Sequence, residues 1–207
     1  MVKDLSYAKS CCLIFALLLS FSVKAQNLDI QWLRNIHSNN SRGADNIMKG
    51  ITNSSYAICG EVPIAELAYG YIAHDSAMRV AGWQSAAGLA TTVVLSTGIK
   101  LAARRERPYT TYKDIVPYRY DLSYSMPSGH TSTAFSVATS LSLQFPKWYV
   151  IAPAMLWAGT VGYSRLYLGM HYPSDVFVAA LVGAGSSYLG YKGQRWIQKH
   201  HKHKFEQ

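Results

Sequence analysis

The sequence predicts an all-α protein, a helical bundle of about six core helices. Three observations carry that expectation. No stretch alternates apolar and polar residues as a half-buried strand would, and no internal repeat stands out. Val80 to Ile99 is a chargeless run about the length of a membrane span, bounded by Arg79 and Lys100. Farther along, segments from about Ser128 to Phe145 and from about Trp148 to Tyr163 are separated by Pro146, which sets the boundary between two helices.

The 207 residues suffice for one domain with its own core. Apolar residues make up 49% and charged residues 15%, yet the mean hydropathy is only +0.01. The chain is therefore rich in Gly, Ala, Ser, Thr and Tyr rather than in long aliphatics, which fits either a compact soluble helical protein or a membrane protein with weakly hydrophobic spans. A net charge of +9 attracts anionic partners: phosphorylated substrates, anionic lipid headgroups or nucleic acid. Nucleic acid is disfavoured, because no zinc-finger spacing or basic helical repeat is present and much of the charge gathers in Lys100 to Arg119 and Lys192 to Lys204.

In chain order, Lys3 and Lys9 lead into an apolar run from Cys11 to Val23, followed by the small-residue pattern Val23-Lys24-Ala25. The run is shorter than the roughly 20 residues of a spanning helix and reads as a secretory signal peptide; an uncleaved anchor is the alternative. Cys11 and Cys12 precede the run, unlike a lipoprotein cleavage site. Cleavage after Ala25 would leave Cys59 alone, as a small buried residue, and excludes a disulfide framework. Leu28, Ile30, Trp32, Leu33 and Ile36 mark an amphipathic helix, packed on the domain or lying at a membrane surface. Ile47 to Ala73 reads as one or two helices interrupted around Gly60 and Pro63, and Glu61 and Glu66 make it a poor span. After Pro108 comes a long loop carrying Tyr109, Tyr112, Pro117, Tyr118, Tyr120 and Tyr124, either a surface connection or a lid that selects substrate. The last helix runs from Pro173 to about Tyr191, and His200, His201, Lys202, His203 and Lys204 read as solvated charge rather than a metal site.

Chemistry gathers at three places. Lys100 lies near the end of the chargeless helix, and Arg107-Pro108 follows two helical turns later on the same face; the helix is expected to stop there, because the residue before proline leaves helical geometry. Pro127-Ser128-Gly129-His130 opens the next helix: Ser128 suits the N-cap, Gly129 lets backbone approach an anion, and the first-turn N–H groups bind it. His130 is placed to protonate a leaving group. Third, Ser164-Arg165 precedes His171 and Asp175, with Pro173 marking a helix start between them. There a carboxylate can hold one imidazole nitrogen while the other acts as a nucleophile, and a guanidinium fork matches phosphate oxygens. An up-down bundle puts all three on one side, as one phosphate pocket.

These three motifs, with the spacing inside each, resemble the full signature of the type 2 phosphatidic acid phosphatase family, which includes bacterial class A acid phosphatases and vanadium haloperoxidases. The match covers about Lys100 to Asp175. The resemblance implies that Lys100, Arg107, Arg165, Ser128 and the Gly129 N–H hold the phosphoryl oxygens. It also implies that His171 attacks phosphorus with Asp175 orienting it, that His130 protonates the departing oxygen, and that no metal or other cofactor is needed. On this reading residues 1–25 are a signal peptide or anchor, 26–195 the phosphatase domain and 196–207 a basic C-terminal tail.

The expected activity is hydrolysis of a lipid phosphate at the outer face of a bacterial inner membrane, with the site facing the periplasm and the basic tail inside. By resemblance the candidates are a lipid A phosphate, undecaprenyl diphosphate, phosphatidate or phosphatidylglycerol phosphate. The alternatives are a soluble periplasmic acid phosphatase of broad specificity, a vanadate-bound haloperoxidase, and a non-enzymatic module that binds phosphate or anionic lipid. Orientation leaves a tension: six spans with an outward site need the N-terminus inside, whereas a cleaved leader leaves it outside. Either the first run is a span and Ile47 to Ala73 crosses once, or some core helices do not cross.

Overall fold

The computed structural model describes residues 27–37 and 42–205, with side chains through 195 apart from that of residue 42. The expected leader at 1–25, with Cys11 and Cys12, lies outside the described residues. Among those described there is no strand, and the helices are α1 (27–37), α2 (Arg42–Ile72), α3 (Ser76–Ala103), the short α4 (Pro108–Thr111), α5 (Gly129–Gln144), α6 (Trp148–Tyr167) and α7 (Pro173–Phe205). The all-α expectation holds.

At the centre stands α5, packed against α7, α6, α3 and α2. Most of its buried positions are small, among them Ala134, Ala138, Ser132, Ser136, Thr139 and Ser140. Small residues let helix backbones approach closely, and their hydroxyls bond across the interfaces. Ser96 Oγ donates to Ser132 Oγ at 3.0 Å, and Ser187 Oγ donates to Ser136 O at 2.9 Å. At Gly183 of α7 an added Cβ would lie 2.1 Å from Ser132 O. The near-zero hydropathy is thus explained: much of the interior is hydroxyls and methyls.

A second, more aliphatic cluster sits beside the site end of the bundle. Ile30 and Leu33 of α1 pack there with Tyr109, Ile115, Leu166, Leu168, Met170 and Tyr172. The amphipathic N-terminal helix is therefore docked on the domain, with Trp32 exposed on its outer side.

Four boundaries differ from expectation. α2 is one helix that runs through Gly60 and Pro63, because its packing along α3 outweighs the missing N–H; Leu67 presses on Gly82 so closely that a Cβ there would lie 2.6 Å from it. α3 stops at Ala103, not at Arg107. Arg104 takes the left-handed conformation (φ 47°) and donates its N–H to Lys100 O at 3.0 Å, closing the helix four residues before the proline. α6 continues to Tyr167 before Gly169 (φ 66°) turns the chain, and α7 continues past Tyr191 to Phe205.

Candidate active site

The turn between α6 and α7 brings His171 to one end of the bundle, and Pro173 at the start of α7 sets Asp175 in its first turn. Both are buried, at 2% and 0% exposure. His171 Nδ1 faces Asp175 Oδ2 at 3.6 Å and Ser125 Oγ at 3.5 Å. With that nitrogen turned to the carboxylate, Nε2 points the other way, 3.4 Å from Arg107 Nη1. Burial pushes the His171 imidazolium down to about 4, against the pull of Asp175, so the ring is neutral near pH 7 and its Nε2 lone pair is available. Burial by itself would raise Asp175, but His171, the Arg105 charge and the Ser125 hydroxyl outweigh it and hold the carboxyl below its ordinary range.

Arg165, in the last turn of α6, is 1% exposed. Its Nη1 donates to Thr52 Oγ1 of α2 at 2.7 Å, while Nε and Nη2 are buried without a partner. A buried guanidinium with two unbonded nitrogens is costly unless an anion completes it. Arg107 donates through Nε to Ser123 O (2.8 Å) and through Nη2 to Ser123 Oγ (2.9 Å), and lies 3.2 Å from Asp121 Oδ2. Lys100 Nζ donates to Tyr124 O at 2.6 Å. Lys100 and Arg107 therefore do not share a helical face as expected, since α3 has already ended; instead the 104–107 turn carries Arg107 back toward His171. Both cations also stitch the tyrosine-rich loop down as a wall of the site, helped by Tyr109 Oη, which bonds the backbone of Asp121.

His130, in the first turn of α5, is buried, with its ring centroid 4.3 Å from that of Tyr56 in an edge arrangement. Burial, followed by the charge of Arg165, pushes its imidazolium down, so it too is neutral near pH 7. Ser128 occupies the N-cap position but its hydroxyl makes no capping bond: it accepts from Thr131 Oγ1 at 2.9 Å, while its N–H donates to Asp175 O at 3.2 Å. The capping expectation for that hydroxyl is thereby corrected. Beside Gly129, the place of a Cβ borders open space.

The fold brings all eight expected residues to one end of the bundle. The sequence reading missed Ser125, which donates to Asp175 Oδ2 and reaches His171 from the long loop, along with Thr52 and Tyr56 on α2 and the pair Arg105 and Asp29. Only Arg105, inside the basic run before Pro108, carried a signal. Among the described residues no group of three His, Cys, Asp or Glu is placed to hold a metal ion.

The family model for the PAP2 superfamily matches residues 81–199, more than half of the chain. The chain belongs to the PAP2 superfamily. Among its PAP2 relatives, the lipid A 4'-phosphatase of Bacteroides thetaiotaomicron is 36% identical over 86 residues, 42% of this chain and 38% of that enzyme. Undecaprenyl-diphosphatase BcrC of Bacillus subtilis is 28% identical over 145 residues, 67% of this chain and 71% of that one. The first of these matches spans less than half the relative's length. The crystal structure of Aquifex aeolicus LpxE has the same PAP2 bundle, with a TM-score of 0.66 at 28% identity over 80% of this chain and 95% of that one.

Proposed function

We propose that the protein is a phosphatase that hydrolyses a lipid phosphate through a phosphohistidine on His171, without a metal, at the outer face of a bacterial inner membrane. The observation that carries this reading is the pairing of His171, held by Asp175 with Nε2 turned to the cations, with a buried Arg165 whose Nε and Nη2 lack partners. A phosphoryl group meets both demands at once, its phosphorus facing Nε2 and its oxygens completing the guanidinium.

In the first step His171 Nε2 attacks phosphorus in line with the ester oxygen. The N–P bond forms, the P–O bond breaks, and Arg165, Arg107, Lys100 and the first-turn N–H groups of α5 absorb the charge on the equatorial oxygens. Asp175 accepts the Nδ1–H and stabilises the positive charge that develops on the ring. His130 gives its proton to the departing alkoxide. Burial and the repulsion of Arg165 disfavour its imidazolium, so the proton enters with the substrate, whose negative charge offsets both. In the second step neutral His130 takes a proton from water, which attacks phosphorus and releases His171.

A lipid substrate is supported by the outer surface. α3 has a window of mean hydropathy 1.4 in which 17% of residues are buried, and it exposes Trp83, Val93, Val94 and Leu95.

The test is phosphate release by purified protein in detergent from lipid A, undecaprenyl diphosphate, phosphatidate and a soluble aryl phosphate, with His171→Ala alongside. Preference for one lipid, with loss of turnover in the variant, is the expected result. Equal or faster turnover of the soluble ester points instead to a broad periplasmic acid phosphatase.

A further inference from the structure

Behind the His171–Asp175 pair lies a chain of charges that the reaction above does not use. Asp175 presents two oxygens with different company. Oδ2 receives the Tyr172 N–H at 2.9 Å, the Ser125 hydroxyl and the His171 side of the site. Oδ1 receives Arg105 Nη1 at 2.7 Å. The same Nη1 donates to Ser174 Oγ at 2.6 Å, and Nη2 donates to Asp29 Oδ2 of α1 at 2.7 Å. Asp29 in turn accepts the Ser174 N–H at 2.9 Å and the Ser174 hydroxyl, so it also holds the first turn of α7. The Arg105 guanidinium lies over the Tyr172 ring, 3.9 Å from its centroid. The three charged groups are largely removed from solvent, Asp175 at 0%, Asp29 at 8% and Arg105 at 22% exposure.

We propose that Arg105 and Asp29 are a positioning pair for the phosphohistidine site: Arg105 fixes the Asp175 carboxylate through Oδ1, and Asp29 on the N-terminal helix holds and partly neutralises Arg105. α1 is then more than a packed flank, because its single buried carboxylate sets the charge felt behind the nucleophile. The inference rests on the assignment of His171 as nucleophile.

The geometry has a definite electrostatic sign. The charged and titratable groups facing His171 and Asp175 are Asp29 from α1, Lys100 from α3, Arg105 and Arg107 from the turn after α3, Asp121 from the long loop, His130 from α5 and Arg165 from α6. Removing the Arg105 charge takes away one cation and leaves Asp175 freer to stabilise a protonated His171, so the His171 titration moves up. Removing the Asp29 charge leaves the Arg105 cation uncompensated, so the His171 titration moves down. A strut that served folding alone would not give opposite signs at the two ends of one ion pair.

The experiment follows the side-chain NMR titration of His171 in histidine-labelled full-length protein in detergent, assigned with His171→Gln, for wild type, Arg105→Gln, Arg105→Lys and Asp29→Asn. Arg105→Gln is expected to raise the His171 midpoint by about one pH unit, Asp29→Asn to lower it, and Arg105→Lys to stay closer to wild type. In turnover, Arg105→Gln is expected to lower kcat on the order of tenfold or more with a smaller change in KM, because a carboxylate that is electrostatically freer but no longer fixed in direction orients the ring less well, and orientation affects the step and not binding. An unchanged midpoint in Arg105→Gln, or shifts of the same sign in Arg105→Gln and Asp29→Asn, overturns the proposal. Should Arg105→Gln fail to fold, Asp29→Asn carries the test alone: a midpoint that stays put or rises overturns it. A wild type that turns over no phosphate ester refutes the phosphatase reading, while the titrations still decide whether the pair controls His171.

Discussion

Thr52 Oγ1 accepts from Arg165 Nη1 at 2.7 Å, and it is the only partner among the described residues for the side chain of that buried guanidinium. One hydroxyl on α2 thus fixes the cation of α6 toward the proposed phosphate pocket. Thr52→Val keeps the shape and removes the bond. The expected outcome is a KM for the phosphate substrate several-fold higher, corresponding to about 1 kcal/mol, with kcat less affected. Steady-state kinetics on the preferred substrate measures it, and a KM equal to that of wild type would show that packing alone holds Arg165.

Vanadate resembles phosphate at the five-coordinate geometry of an in-line displacement, so it is expected to inhibit competitively. Arg165→Lys loses the planar fork and should weaken vanadate inhibition at least tenfold. An enzyme indifferent to vanadate speaks against the pocket as described.

The pH dependence follows from His171. As the proposed nucleophile it must be neutral to attack, and burial lowers it from the ordinary 6.5 to about 4. Activity should therefore persist well below pH 6.5, with the acid limb of kcat/KM falling nearer 4. Stability carries the same sign. Between the two values the unfolded chain binds the proton and the folded chain does not, so this contribution is complete above 6.5 and is lost as pH falls through about 4. Thermal midpoints of wild type and His171→Gln, measured from pH 7 to pH 4, test it: the wild type should lose more on acidification.

Gly183 is a steric requirement of the α5–α7 contact, where a Cβ would strike the Ser132 carbonyl. Gly183→Ala must push α7 away from α5, at a cost of about 1–3 kcal/mol, and should also lower turnover, since α7 carries Asp175. Gly185→Ala, two residues on, meets no heavy atom within 4 Å and should be neutral or slightly stabilising. Thermal unfolding of both variants in detergent separates the two effects; equal midpoints would contradict the close approach.

The residues proposed to bind phosphate and to react with it stood out because each motif is short and its spacing is local. Pro173 fixes where α7 begins and hence where His171 and Asp175 stand, and Pro127 and Gly129 open α5 in the same way. Where the chain is governed by contacts between distant residues, the reading went astray. Pro63 looked like a break, but the packing of α2 on α3 carries the helix through it. Pro108 looked like the end of α3, but Arg104 had already ended it by turning left-handed.

What the sequence determined by itself is therefore the all-α class, the family signature and the short motifs whose side chains are proposed to meet phosphate, because helix periodicity, proline and capping chemistry act over a few residues. The tertiary structure alone decided which partners tune those groups. Thr52 lies 113 residues from Arg165, Ser125 lies 50 from Asp175, and Asp29 lies 76 from Arg105. Pairings at such separations leave no pattern in the chain; they exist because five closely packed helices and a docked sixth bring their ends to the same place.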